Sequence, residues 1–546
     1  MRYLYLLLLI YYGFQLNAQV KCDWAYIPTG NSFSNTISYN VNDRDGNIVQ
    51  AGVILGSADM DPGQGPADTS FTKFTYNYYL SKTSVSGKLI WIKYFNSKIN
   101  ISKFEIKGLE VNSKNEIIVL GNFFGKVDFD LSDQGVDTLR SHFATYTDYF
   151  LAKYNKDGNL QWVFNIGDPT TSNIEAQALE VNSNDEILVS ANANGTVDVN
   201  PGKPINNSLG GNVNLICYST DGDYLWNNNS GIKFSYGVNC QSVGSDAAGN
   251  VYQMSVGYYE LTINKFDKNG TRIWNKTLGK FSSFSRVTPQ SILIDKVNNH
   301  IYISGTFSDT TDFDPNNGVN IKIASSSQFE DGFIAKYDSD MNLIWVNSYA
   351  GNISFGNFGL KLNGNQLVAV GQLKGLVDFG NQLFLVTKLE SSPFLIELNQ
   401  DGIAQKGFVL NGSGTFNSID FNINQSFTVS GYLVSSTDME PGSGVLTLKP
   451  VNSKNFYGVY SNSSANLVSK VKVDLINVFP NPTSGSFQVN IKSDLINSVF
   501  YLTDQLGKVI EEGKILDQTT FINLDNQADG LYFFNIGNHT IKVIKN

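Results

Sequence analysis

Apolar and polar residues alternate along most of this chain in short runs that stop at polar turns, the two-residue period of strands covered on one face. One line recurs: "YNYYLSKTSVSGKLIW" (76–91), "TDYFLAKYNKDGNLQW" (147–162), "NVNLICYSTDGDYLW" (212–226), "YELTINKFDKNGTRIW" (259–274) and "EDGFIAKYDSDMNLIW" (330–345). Weaker copies are "SSPFLIELNQDGIAQ" (391–405) and "SKNFYGVYSNSSANLV" (453–468). Each joins two apolar runs through a polar turn, often Asp-Gly or Asn-Gly, which readily takes the positive φ of a tight hairpin. Another hairpin precedes each of them, as in "ISYNVNDRDGNIVQAG" (37–52), "IKGLEVNSKNEIIVLG" (106–121), "AQALEVNSNDEILVSA" (176–191) and "QSILIDKVNNHIYISG" (290–305).

Every unit therefore offers four strands, a to d, at a mean period of about 63 residues. Seven such units predict an all-β chain, a seven-bladed β-propeller of four-stranded blades. A parallel β-helix, the main rival, would repeat at a shorter period. Trp91, Trp162, Trp226, Trp274 and Trp345 occupy one position of strand d, which predicts packing between blades rather than a sugar-stacking set. Trp24 stands alone before the first a–b hairpin and predicts a strand d that joins the last blade and closes the ring.

The pattern resembles bacterial β-propeller repeats on "GNIVQAG", "DYFLAKYNKDGNLQW", "HIYISG" and "DGFIAKYDSDMNLIW", over about residues 20–470. From about Val473 a different grammar begins, with short strands between Asn-Pro, Ser-Gly, Leu-Gly and Asp-Gly turns, which predicts a separate small β-sandwich, Ig-like, over 473–546. This tail resembles the type A C-terminal sorting domain of the Bacteroidetes type IX secretion system on "FPNPTSG" (479–485), "YLTDQLGKVI" (501–510), "DGLYFF" (529–534) and "KVIKN" (542–546). The matching motif residues are Phe479, Pro480, Asn481, Pro482, Gly485, Gly507, Gly530 and Tyr532. Singly, each is explained by turn chemistry; the ordered set at the C-terminus is not. The resemblance implies Sec export, recognition by the type IX secretion machinery, passage across the outer membrane, and release or attachment at the cell surface.

The N-terminus fits that route. Arg2 precedes an apolar run from Tyr3 to about Leu16, then "LNA", which predicts a signal peptide over 1–18 cut between Ala18 and Gln19. The run is too short for a membrane anchor, and no later segment predicts a membrane span. The expected propeller domain thus covers 19–472. A net charge of −10 offers nothing to nucleic acid or an anionic membrane. Cys22, Cys217 and Cys240 are too few for a disulfide framework and read as free thiols, with a 217–240 pair as the alternative. His142, His300 and His539 are the only histidines, which argues against a His-rich zinc site or a Ser-His-Asp triad.

Candidate chemistry rests on stretches such as "TDFDPNNG" (311–318), after strand b. Asp59/Asp61, Asp128/Asp130 and Asp312/Asp314 offer paired carboxylates for calcium, against a plain turn in which Pro315 stops pairing. One Asp-x-Asp falls short of the six to eight oxygens calcium takes, so no cofactor is expected beyond that candidate. "NDRDGN" and "YNKDGN" lack a twelfth-position Glu and read as hairpin turns. No catalytic residue is assigned. The variable b–c loops point to the b–c/d–a rim as the recognition face. The reading is a binding or adhesion module for a surface polymer, glycan or protein; a carboxylate-dependent carbohydrate-active enzyme and a surface-layer component are the alternatives. The enzyme reading requires acids from several blades to converge in the central pocket.

Overall fold

The computed structural model describes residues 20–30, 39–55, 58–62, 76–95, 103–132, 135–142, 146–167, 174–193, 197–200, 208–209, 212–233, 239–256, 261–278, 286–325, 330–387, 391–422, 426–442, 444–450, 454–462, 476–479, 483–491, 496–505, 508–517, 519–536 and 539–546. The expected signal peptide, including Ala18 and Gln19, lies outside them, as do Pro480, Asn481, Pro482 and Gly507. The chain divides into two compact units, Met1–Ser463 and Ser464–Asn546.

The first unit is a β-propeller. Five four-stranded antiparallel sheets follow one another, each built from consecutive a, b, c and d strands; in unit two these are Lys103–Val111, Ile117–Phe124, Asp148–Tyr154 and Leu160–Ile166. An eight-stranded sheet comprises the strands of units six and seven, joined by one parallel bridge between Phe358 and Ser418. Each strand a lies beside the strands a of the units before and after it, and Tyr39–Asn42 of unit one adjoins Gly414–Phe421 of unit seven. Asn42 N–H donates to Asp420 Oδ2 at 2.8 Å across that junction. Strands b and c are buried on both faces, which accounts for their near-continuous apolar runs.

The early tryptophan behaves as its position predicts. Val20–Tyr26 pairs antiparallel with Lys454–Asn462, strand c of unit seven, and supplies that unit's outer strand. Trp24 Nε1 donates to Val85 O at 2.8 Å in the c–d turn of unit one. Trp226 donates in the same way to Lys268 O at 3.0 Å, and Trp345 to Gln400 O at 2.9 Å, each in the following unit. Under the rings sit the turn glycines Gly87, Gly270 and Gly402, whose φ angles of +84°, +81° and +77° favour glycine. A Cβ on Gly270 would meet Trp226 at 2.4 Å, so the glycine is required twice over. The tryptophans are half-buried, and Trp24, Trp226 and Trp345 set their N–H edges at the turns of the following unit.

Cys22 and Cys217 are buried free thiols. Cys217 takes the place in strand c that Lys153 and Lys336 hold in units two and five.

The second unit pairs a three-stranded sheet, Ile476–Phe479, Ser486–Ile491 and Thr519–Asn523, with a four-stranded one, Val509–Lys514, Val499–Asp504, Gly530–Ile536 and His539–Lys545. Its core contains Phe487, Val489, Leu502, Phe534 and Val543 from both sheets.

Candidate functional site in the central channel

The Asp-x-Asp stretches occupy a different place from the one their sequence position suggests. After strand b of unit five the chain forms a minor hairpin, Thr310–Asp312 with Ile321–Ile323, which folds back along its own unit. Asn316 Nδ2 at the tip donates to Met341 O and Asn342 Oδ1, both at 3.0 Å, in the c–d turn. The tip therefore lies toward the a–b/c–d rim, not on the b–c/d–a rim. Asp312 Oδ1 accepts the backbone N–H groups of Asp314 at 3.0 Å and Asn320 at 2.8 Å, closing the loop. Asp314 Oδ1 accepts Asn316 N–H at 2.9 Å, and its other oxygen lies where a Cβ on Gly318 would stand.

Between the two acids Phe313 is fully buried, and its carbonyl accepts the Tyr337 hydroxyl at 3.0 Å. Unit two repeats this: Asp128 accepts from Asp130 and Asp137, Asp130 from Ser132, and Phe129 O from Tyr154. Asp59 accepts the Asp61 N–H at 3.0 Å. In units two and five the pattern pins the b–c excursion against the core of its own unit. Among the described residues no three Asp, Glu, His or Cys side chains are placed to hold a metal ion.

Partly exposed charged groups instead converge on the innermost strands. Each strand a ends at an Asp or Asn, which in units one to five caps the a–b turn, as Asn112 does by accepting the N–H groups of Lys114 and Glu116, both at 2.9 Å. Two positions earlier stand Val41, Glu110, Glu180, Gly244, Leu293, Lys361 and Asp420 of units one to seven. Lys361 Nζ lies 3.0 Å from Asp420 Oδ1. Lys296, at the a–b turn of unit five, lies 3.2 Å from Glu180 Oε1, which also accepts the Ser245 hydroxyl at 3.0 Å. Toward the other end of the channel Lys103 meets Glu175 at 2.9 Å and Lys107 meets Glu105 at 3.2 Å.

Glu110 has no such partner: no hydrogen bond or ion pair reaches it among the described residues. The ring encloses it although part of its surface stays open to the channel. That enclosure, then the Glu180 carboxylate and Asp420, raise its proton affinity well above the carboxylate range, against Lys361 and Lys296. The Lys296–Glu180 pair, between units five and three, is a direct contact that reaches past the neighbouring unit. Lys361 is shifted upward in turn, chiefly by Asp420, with burial opposing.

Sequence reading passed over these residues, yet a signal was present. "LEVN" (109–112), "LEVN" (179–182), "LKLN" (360–363) and "IDFN" (419–422) each place a charge between two apolar residues just before the capping Asn. A charge there costs too much unless it faces water or a partner.

In the tail, Phe479 ends its strand, and a Cβ on Gly485 would meet Asp525 Oδ1 at 1.8 Å, so that carboxylate packs against the glycine and would have to turn away from any larger residue. Gly530 opens a strand by pairing with Lys545, and buried Tyr532 donates its hydroxyl to Ala528 O at 2.6 Å. The family model of the secretion system C-terminal sorting domain matches residues 477–546. The tail is a type IX sorting domain.

The sorting domain implies export, a secreted or cell-surface location, and contact with the secretion machinery. No helix among the described residues is long and apolar enough to cross a membrane. The chain is similar in structure to the Dos1 propeller (10% identity, 81% of this chain and 96% of that one, TM-score 0.40). It is also similar to PorZ, described as a bacterial surface component of the type IX secretion system of Porphyromonas gingivalis (12% identity, 93% and 91%, TM-score 0.20). No curated protein matches.

Proposed function

We propose that this protein is a binding module of the cell surface or secreted medium, a seven-bladed propeller whose ligand enters the central channel. Its route is Sec export with removal of residues 1–18, then type IX passage on the tail, with 19–472 as the delivered propeller. The observation that carries the channel assignment is the shared register of Glu110, Glu180, Lys361 and Asp420 on the innermost strands, with Lys361 paired to Asp420 at 3.0 Å and Glu180 to Lys296 of unit five at 3.2 Å. The b–c excursions offer less, because the first acid of each Asp-x-Asp described above is engaged by the backbone of its own loop. A structural role for the Asp-x-Asp acids accounts for their hydrogen bonds without calcium.

The same arrangement supports a second reading, a carboxylate-dependent carbohydrate-active enzyme, since one raised and one paired carboxylate can divide acid and base roles. The two readings separate in a glycan and surface-polymer screen with the purified full chain. Capture without product release, abolished by Lys361→Met and unaffected by Asp312→Ala, supports the binding module. Shortened product supports the enzyme, and capture unaffected by Lys361→Met removes the channel from both. The route is tested by deleting residues 473–546: retention in the periplasm is expected, and unchanged arrival outside refutes it.

A further inference from the structure

Unit four lacks the b–c excursion that other units carry. In units two, five and six that excursion also reaches the unit before its own. Phe129 lies 6.1 Å from Phe95 and Phe379 4.9 Å from Tyr349, ring centre to ring centre, and Asn316 Oδ1 accepts from Lys276 Nζ at 2.5 Å. In unit four, strands b and c, Val251–Val256 and Leu261–Phe266, pair as far as Val256 with Leu261. Only residues 257–260 join them, too few for a hairpin such as Thr310–Asp312 with Ile321–Ile323. The seam between units three and four thus receives no excursion from unit four.

The residues that would seat one have changed with it. Strand c of units two, five, six and seven presents a buried phenylalanine there, Phe150, Phe333, Phe394 and Phe456; unit four has Thr262, which is partly exposed. The tyrosine whose hydroxyl donates to the carbonyl of the excursion, Tyr154, Tyr218, Tyr337 and Tyr460 in units two, three, five and seven, is Phe266 in unit four. Between these two positions Asn264 stands where Ala152, Ile216, Ala335 and Ile396 stand. Ser255 and Gln253 of strand b are the direct cross-strand partners of Thr262 and Asn264. This face turns toward unit three, for Gln253 Nε2 donates to Ser190 Oγ at 2.6 Å and to Asn214 O at 3.2 Å.

Three polar groups on that face are fully buried and engaged by nothing among the described residues: Gln253 Oε1, Asn264 Nδ2 and Ser255 Oγ. Asn264 Oδ1 is already taken, accepting from Asn275 Nδ2 at 2.8 Å. Such groups have lost water without replacement, which is costly, and a ligand that supplies their bonds recovers that cost. Gln253 needs a donor, Asn264 an acceptor, and Ser255 takes either. A sugar hydroxyl is both at once and carries no charge. A peptide segment suits the seat less, because the tyrosine hydroxyl that holds a backbone carbonyl in the other units is missing here.

We propose that the seam between units three and four is a second ligand site, apart from the channel, which takes a neutral sugar with its hydroxyls on Gln253, Ser255 and Asn264 and Thr262 at the mouth. It is tested by calorimetric titration of the purified full chain with the methyl glycosides of glucose, galactose, mannose and fucose. At least one is expected to bind saturably. Gln253→Met, which removes the amide and keeps the length, should weaken that binding at least about tenfold. Ser255→Ala should weaken it about threefold and hold or raise the urea midpoint, since the hydroxyl it removes is engaged by no described residue. Gln50→Met, at the matching place in unit one, where buried Tyr79 replaces Thr262, should leave binding unchanged, as should Lys361→Met. The proposal is overturned if no glycoside binds, if binding survives Gln253→Met, or if Ser255→Ala lowers the midpoint, which would make the hydroxyl a support of the fold. Loss of binding in Lys361→Met would place the sugar in the channel instead. Saturable binding of the neutral peptide Gly-Asn-Ser-Gly in place of the sugars would make the seam a peptide seat and refute the sugar assignment.

Discussion

At the scale of single residues, one position decides more than its neighbours suggest. Glu110 holds its proton more tightly in the folded ring than in the unfolded chain, through enclosure first and the nearby Glu180 second. Asp420 adds to the rise, while Lys361 and Lys296 oppose it. A raised carboxylate value means that the folded state binds more protons once pH passes the ordinary carboxylate range. Its contribution is therefore fully present below that range and is lost as pH climbs through the raised value. Propeller stability should fall between about pH 5 and about pH 8, and Glu110→Gln should flatten that fall. Urea midpoints at four pH values measure it; identical slopes for the two proteins refute the assignment.

At the scale of elements, the minor hairpins account for the recurring acids. Replacing Asp312 by Ala removes the acceptor for two backbone N–H groups. The expected cost is about 1–2 kcal/mol, equal in the presence of calcium or chelator. A loss that appears only in calcium would instead make this a metal site.

Strand identity was legible from the sequence because the a–b and c–d hairpins carry period-two patterning and capped turns, and so was the role of Trp24, from its missing partners. The fold-back of residues 310–323 was not. It depends on Phe313 reaching the unit core and on Asn316 finding a turn 25 residues later, contacts that no local pattern records. The channel was hidden for a related reason. Lys296 and Glu180 meet only because the fold brings units five and three within reach, while each looks locally like a solvent-facing residue of an ordinary hairpin.

At the scale of the whole molecule, the closing strand joins the two ends of the propeller sequence. Val20 pairs with Asn462, and Trp24 keys into the turn of unit one. Trp24→Ala should cost about 2–3 kcal/mol, because a half-buried ring and one hydrogen bond are lost. It should also accelerate unfolding, which stopped-flow fluorescence of the remaining tryptophans can follow. An unchanged unfolding rate would mean that the strand is dispensable for holding the ring shut.

The same pairing imposes an order in time. The earliest described strand, Val20–Tyr26, has its strand partner only when Lys454–Asn462 has emerged, at the far end of the repeat. Contacts so distant in sequence are slow to form. Until then the last blade lacks its outer strand, and the tryptophan that will cap unit one has no support. A growing or partly exported chain is thereby kept from sealing itself early, and only a propeller delivered whole can shut.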